Sequence, residues 1–396
     1  MMTRRLAVLA LLVVAFCGGA HAQNSSQQSF ATFLDELWPD AQAKGITRSN
    51  FDLAFRGVTP DPRVIAATKR QPEYGKPFGN YVNAVASKRR VADGQQKAIQ
   101  WSKTFDAVEK RFGVERWVLL ALWGIETDFG AEKDRWDVFR SLSTLGYVRY
   151  RHPYFRNELI VALRIMQDGH FPRNKMVSSW AGAMGQTQFM PTNVVDYAID
   201  FSGDGRRDIW NNVPDVLGST ANYLSKEHWQ RGMPWGFEVL VPKGFDYRRS
   251  RGSFVEWHKL GVRRADGKPF PAGDGILFFP AGAEGPAFIA TKNYDVLKEY
   301  NNSDAYAVAV GHLADLMHGG APIRAAWPAN DHPLSRDARI ALQKKLAELG
   351  HKVNDFEGHV DFDLRDNIRI EQAKLGMVPD GNPTISLLEK LGVKVP

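Results

Sequence analysis

Apolar residues recur at helical spacing through most of the chain between Gln28 and about Gly232. Phe30, Phe33, Leu34, Leu37 and Trp38 form one such stripe, Trp101, Phe105, Val108 and Phe112 a second, and Leu159, Leu163 and Met166 a third. Val216 to Trp229 reads as a further helix. The period changes between Trp235 and Thr291. There Phe237 to Val241 and Ile276 to Phe279 read as short strands, with Asp266-Gly267 and Asp274-Gly275 as turns. Helix returns at Ala305 to Met317, a Gly- and Pro-rich stretch from Gly319 to about Ser335 reads as a linker, and a compact helical segment runs from Arg336 to Leu391. The pattern predicts a mainly α protein with a small antiparallel β insertion and a small helical C-terminal domain.

The first residues do not belong to that fold. Arg4-Arg5, an aliphatic run from Leu6 to Phe16 and the small-x-small site Ala20-His21-Ala22 predict a secretory signal peptide over 1–22. Its apolar core is too short to span a bilayer, and no later stretch is long and apolar enough to be a transmembrane span. Cys17, the single cysteine, lies inside the leader, and Phe16 before it fits a lipid-attachment site poorly. The expectation is a soluble exported protein in the periplasm, with a mature catalytic region at 23–318, a linker at 319–335 and a C-terminal domain at 336–396.

The formal charge is +7 and falls by two when Arg4 and Arg5 are removed. A basic exported protein suits anionic polymers such as cell wall. Nucleic acid is disfavoured by the leader and by the absence of a basic stripe interleaved with stacking aromatics.

The strongest candidate for chemistry is Glu126, which closes the apolar run Trp117-Val118-Leu119-Leu120-Ala121-Leu122-Trp123-Gly124-Ile125. A carboxyl among Trp and Leu side chains loses hydration, which raises its pKa, and a helix C-terminus near Gly130 pushes the same way. Such a group suits proton donation to a leaving-group oxygen. The run alone also fits a Glu that reaches solvent from the helix's polar side. The second motif is Ser179-Trp180-Ala181-Gly182-Ala183-Met184-Gly185-Gln186-Thr187-Gln188-Phe189-Met190-Pro191. Its small residues let backbone approach a bulky ligand, and Ser179 and Gln188 could bond sugar hydroxyl or acetamido groups; a tightly packed turn fits equally well.

These stretches resemble the B-type family of lytic murein transglycosylases. Ile125-Glu126-Thr127 with Gly130 is similar to that family's catalytic helix end, Gly182 to Pro191 to its groove motif, and Tyr300-Asn301-Asn302-Ser303-Asp304-Ala305-Tyr306 to its third signature. Trp136 to Leu145, Asp204-Gly205 to Trp210 and Gly218 to Leu224 agree as well, so the resemblance covers roughly 30–317. It implies a lysozyme-like, mainly helical catalytic domain that cleaves the β-1,4 bond between N-acetylmuramic acid and N-acetylglucosamine without water, leaving 1,6-anhydromuramyl ends. One carboxylate, carried onto Glu126, acts as general acid and then base, with no required cofactor. Ser179 and Gln188 match positions that contact substrate, and Tyr300, Asn301 and Tyr306 match the wall near the carboxylate. From the residues alone, core packing with a satisfied hydroxyl is the simpler reading for the two tyrosines. Asp128 lies two residues from Glu126 and is expected to point elsewhere.

Asp200-Phe201-Ser202-Gly203-Asp204-Gly205-Arg206-Arg207-Asp208 has oxygen side chains at alternating positions and Gly at the sixth, as in an EF-hand calcium loop. The expected structural calcium ligands are Asp200, Ser202, Asp204, the Arg206 carbonyl, Asp208 and a closing Asp215, against an Asx-rich turn capped by its own side chains. The C-terminal segment resembles a three-helix peptidoglycan-binding domain at Leu342-Gln343, Phe356 to Asp361, Gln372, Leu375-Gly376 and Asp380-Gly381. A small domain that merely packs on the catalytic one is the alternative. Peptidoglycan glycan strands are the expected partner, with cell-wall synthases or amidases as candidate protein partners. A hydrolytic muramidase and a non-catalytic wall-binding protein are the competing functions. A peptidase is disfavoured, because the mature chain has no cysteine and the sequence no His-Glu-x-x-His zinc motif.

Overall fold

The computed structural model describes residues 29–69, 77–169, 171–329 and 331–394. The expected signal peptide, 1–22, lies outside the described residues. Among the described residues no helix is long and apolar enough to cross a membrane.

Helices dominate, and most open on a side chain suited to the task. Ser29, Thr47, Ser87, Asp137, Asn212, Ser303, Ser335 and Asp361 each accept a hydrogen bond from the backbone N–H three residues on. At the centre is Arg116–Thr127, in which Leu119, Leu120, Ala121 and Leu122 are all fully buried. Burial of each leucine contributes about 1.5–3 kcal/mol. Asp304–Met317 and Lys88–Gln100 pack against this helix. Val138–Tyr147 and Tyr154–Gln167 pack against each other as neighbours. A helix that is apolar on every side is stable only inside such a bundle.

The β insertion is one five-stranded antiparallel sheet. Its spatial order is Arg251–Ser253, Asp274–Phe278, Ala287–Ala290, Gly236–Leu240, Arg263–Arg264. Leu277 pairs with Ile289, and Glu238 with Phe288. Side chains alternate across it. Phe237, Val239, Leu277 and Ile289 build a separate core with Phe254 and Trp257, whereas Phe278, Phe288 and Ala290 join the main helical core. The strands begin one or two residues earlier than the hydropathy pattern implies, at Gly236 and Asp274.

Arg336–Glu348, Phe362–Lys374 and Ile385–Lys390 close round Leu342, Leu346, Leu364, Ile368, Leu387 and Leu388. The segment joining them to Met317 lies against the body of the protein: Arg324 and Ala325 N–H groups donate to the Glu238 carboxylate, and Trp327 stacks on Phe78 at 5.3 Å.

Candidate active site

Glu126 sits in the last turn of the buried Arg116–Thr127 helix and is half-buried. The helix stops there because the next three residues, Asp128, Phe129 and Gly130, all take left-handed backbone, with φ of 49°, 58° and 78°. Asp128 N–H returns to Gly124 O and Phe129 N–H to Trp123 O, which satisfies two end carbonyls. Asp128 does point away from the site, as its spacing implies. It bonds Arg89 at 2.9 Å and lies 3.5 Å from Arg90, and the Arg89 bond lowers its pKa. The helix end is thereby tied to Lys88–Gln100.

Tyr306, from the first turn of Asp304–Met317, donates its hydroxyl to Glu126 Oε1. Burial and the Glu126 carboxylate hold the Tyr306 phenol far above its ordinary pKa, so it stays a donor. Tyr300 is held likewise, by burial and then by Glu126. Its hydroxyl donates to Thr187 O at 2.6 Å, and its ring packs on Tyr223 and Phe189 at 5.0 and 5.9 Å. Tyr300 therefore matches the packing geometry with a satisfied hydroxyl, while Tyr306 engages the carboxyl directly. Asn301 caps the preceding helix and is exposed.

The 179–190 stretch is a compact loop that bends through Gly182 and Gly185. A Cβ on Gly185 would lie 2.6 Å from Ile209 O. Ser179 Oγ accepts from Ala183 N–H at 3.2 Å and stabilises its own turn. Gln188, with φ of 52°, donates its amide to Gly185 O and Asp134 Oδ1.

Two residues that the sequence pattern did not single out organise this loop. Gln186 is buried. Its Oε1 accepts from Trp123 Nε1 at 2.7 Å, its amide donates to Trp210 O at 2.7 Å, and its N–H donates to Ile209 O at 2.8 Å. It joins the Glu126 helix to the loop and to the acidic segment beyond. Gly130 is the residue that leaves room, since a Cβ there would sit 2.1 Å from Gln186 Oε1. Asp134 accepts from Gly185 N–H at 2.7 Å and from Gln188, while burial pushes its carboxyl up to about 6. Gln186 stands inside the quoted motif and Asp134 in no motif at all, so only tertiary contact reveals their parts.

In the acidic loop, carboxylate oxygens of Asp200, Asp204 and Asp215 lie within 4.8 Å of one another. Asp215 is fully buried and accepts N–H bonds from Phe201, Ser202 and Asp208. Ser202 Oγ is near, 3.3 Å from Asp200 Oδ1. Asp208 lies outside this carboxylate group, and its Oδ1 accepts from Trp210 and Asn211 N–H. A segment that must turn helically into Asn211 needs those amides satisfied, and Asp208 supplies the acceptor. At Arg206 the N–H donates to Asp204. The remaining oxygen donors fit a hard cation of the calcium type better than a transition metal.

The fold places the molecule among mainly helical, lysozyme-like proteins that carry small antiparallel sheets. The chain belongs to the transglycosylase SLT domain family, whose pattern matches residues 29–315. It is 29% identical over 236 residues to membrane-bound lytic murein transglycosylase B of Escherichia coli (strain K12), a match that covers 56% of this chain and 63% of that relative's length. The structure is similar to SltB3 from Pseudomonas aeruginosa in complex with NAG-anhNAM-pentapeptide, with a TM-score of 0.83 and 43% identity, covering 92% of this chain and all of that one. Soluble lytic transglycosylase SltB1 from Pseudomonas aeruginosa is 28% identical, with a TM-score of 0.63 over 73% of this chain and 98% of that one.

Proposed function

We propose that this chain is a peptidoglycan lytic transglycosylase that cleaves the β-1,4 bond between N-acetylmuramic acid and N-acetylglucosamine. Glu126, protonated, gives its proton to the glycosidic oxygen as the bond to C1 breaks. The muramyl 2-acetamido oxygen covers C1. The Glu126 carboxylate then takes the proton of the C6 hydroxyl as O6 closes on C1 and displaces the acetamido oxygen, leaving a 1,6-anhydro end. Proton and atoms balance without water. A two-carboxylate hydrolysis needs a second free acid; Asp128 is committed to arginines and Asp134 to the 185–188 loop. The observation that carries the reading is the Tyr306 hydroxyl bond to a carboxyl at the end of a buried helix, inside a family named for this reaction. In this reading Ser179 and Gln188 contact substrate, and Tyr300, Asn301 and Tyr306 form the wall near Glu126. Glu126→Gln should abolish soluble muropeptide release while sacculus pelleting persists; undiminished release by that variant would refute the assignment.

The same reading places the mature protein in the periplasm after loss of residues 1–22, and gives the C-terminal helices a wall-anchoring part. Asp200, Asp204 and Asp215 would hold a structural calcium ion, which supplies charge balance to the loop and takes no part in bond cleavage.

A further inference from the structure

The turn that delivers Tyr306 is gripped from the C-terminal helices. Asp304, two residues before Tyr306, opens the Asp304–Met317 helix, and Ser303 caps the Tyr306 N–H. The Asp304 carboxylate is buried and takes three donors: Tyr294 Oη at 2.7 Å, Lys298 Nζ at 2.8 Å and Arg365 Nη2 at 2.8 Å. Arg365 comes from Phe362–Lys374, far along the chain, and is itself buried. Its Nη1 is fixed on Gly381 O at 3.1 Å. Lys298 crosses the same boundary, donating also to Val360 O at 3.1 Å, and the Phe362 ring packs on Tyr294 at 5.7 Å. Burial works against the charge on Asp304, but Lys298 and Arg365 more than offset it and hold the carboxyl far below its usual range. A buried carboxylate with two cations is stable only while both stay in place. A shift of the turn would move the Tyr306 hydroxyl off Glu126.

We infer that Arg365 is a positioning residue for the reaction: through its buried ion pair with Asp304, the C-terminal helical unit fixes the turn that places Tyr306 on Glu126. The inference rests on the reading of Glu126 given above. It makes the C-terminal unit part of the catalytic architecture as well as an anchor.

The test uses the full mature chain and a soluble, denuded glycan of alternating N-acetylglucosamine and N-acetylmuramic acid, which needs no wall anchoring. Arg365→Met should lower kcat on the order of tenfold, since small misplacements of catalytic groups are costly. KM should stay within about twofold, as expected for an interaction used in the chemical step. Arg365→Lys, which keeps the charge, should recover most of the rate. In a Tyr306→Phe background the Arg365→Met loss should largely vanish, because the two act in one chain of contacts. If Arg365→Met melts below assay temperature, Asp304→Asn is read in the same cycle. An unchanged kcat in a folded variant, or a loss that adds fully to that of Tyr306→Phe, overturns the inference. Full activity of Glu126→Gln would instead remove the reading beneath it.

Discussion

A group that donates a proton and then takes one back must stay in one place through both steps. The Tyr306 hydroxyl can donate to an oxygen of Glu126 whether that group is carboxyl or carboxylate, so one contact serves both states. Because the phenol is held far above its ordinary pKa, Tyr306 orients without competing for the proton. Tyr306→Phe should keep the fold and lower kcat on the order of 10- to 100-fold, with KM little changed. Melting curves and steady-state kinetics on soluble glycan check this, and wild-type kcat would show the bond to be incidental. From residue pattern alone Tyr306 reads as a core tyrosine, because its partner lies 180 residues away; the family resemblance is what sets it near the carboxyl.

The Arg116–Thr127 helix was legible as an element. Its unbroken run from Trp117 to Ile125 could only be buried, and Gly130 marked the region of its end. What the run did not disclose is the Gln186 hub, which lies between elements and leaves no periodic trace. In the acidic loop the alternating oxygens point to the stretch that brings Asp200 and Asp204 together with Asp215, but not to the part of Asp208 as acceptor for Trp210 N–H. Millimolar calcium should raise the melting temperature by a few degrees, as ligand binding to the native state must, and Asp215→Asn should remove the response. Equal shifts in both proteins would locate the effect elsewhere.

On Asp304–Met317, buried His312 is held neutral, its pKa lowered to about 4 by burial. Unfolding lets it charge near 6.5, so its contribution to stability is present above pH 6.5 and lost as pH falls toward 4. The loss amounts to roughly 3 kcal/mol, from about 1.4 kcal/mol per unit. Asp134, raised to about 6, acts oppositely, weakening the fold as pH rises from about 4 to 6. The informative quantity is therefore the difference between proteins. Denaturant unfolding at pH 7 and pH 5 should show His312→Gln losing less stability on acidification than wild type; parallel losses would contradict the role of His312.

Across the whole molecule, helical periodicity and the change of period near Trp235 fixed the order of regions, since both are local properties of the chain. The way the regions clasp one another was not legible. Pro and Gly between Gly319 and Pro333 signal irregular backbone but not the stacking of Trp327 on Phe78. Nor does any pattern pair Arg251 with Asp363 and Asp366, or Arg369 with Leu277 O, contacts that seat the C-terminal helices on the sheet. The account as a whole turns on whether bond cleavage consumes water. Mass spectrometry of soluble products from purified mature protein and sacculi answers this directly. Muropeptides with 1,6-anhydromuramyl ends are predicted. Products heavier by one water, with reducing muramyl ends, would contradict the single-carboxylate mechanism.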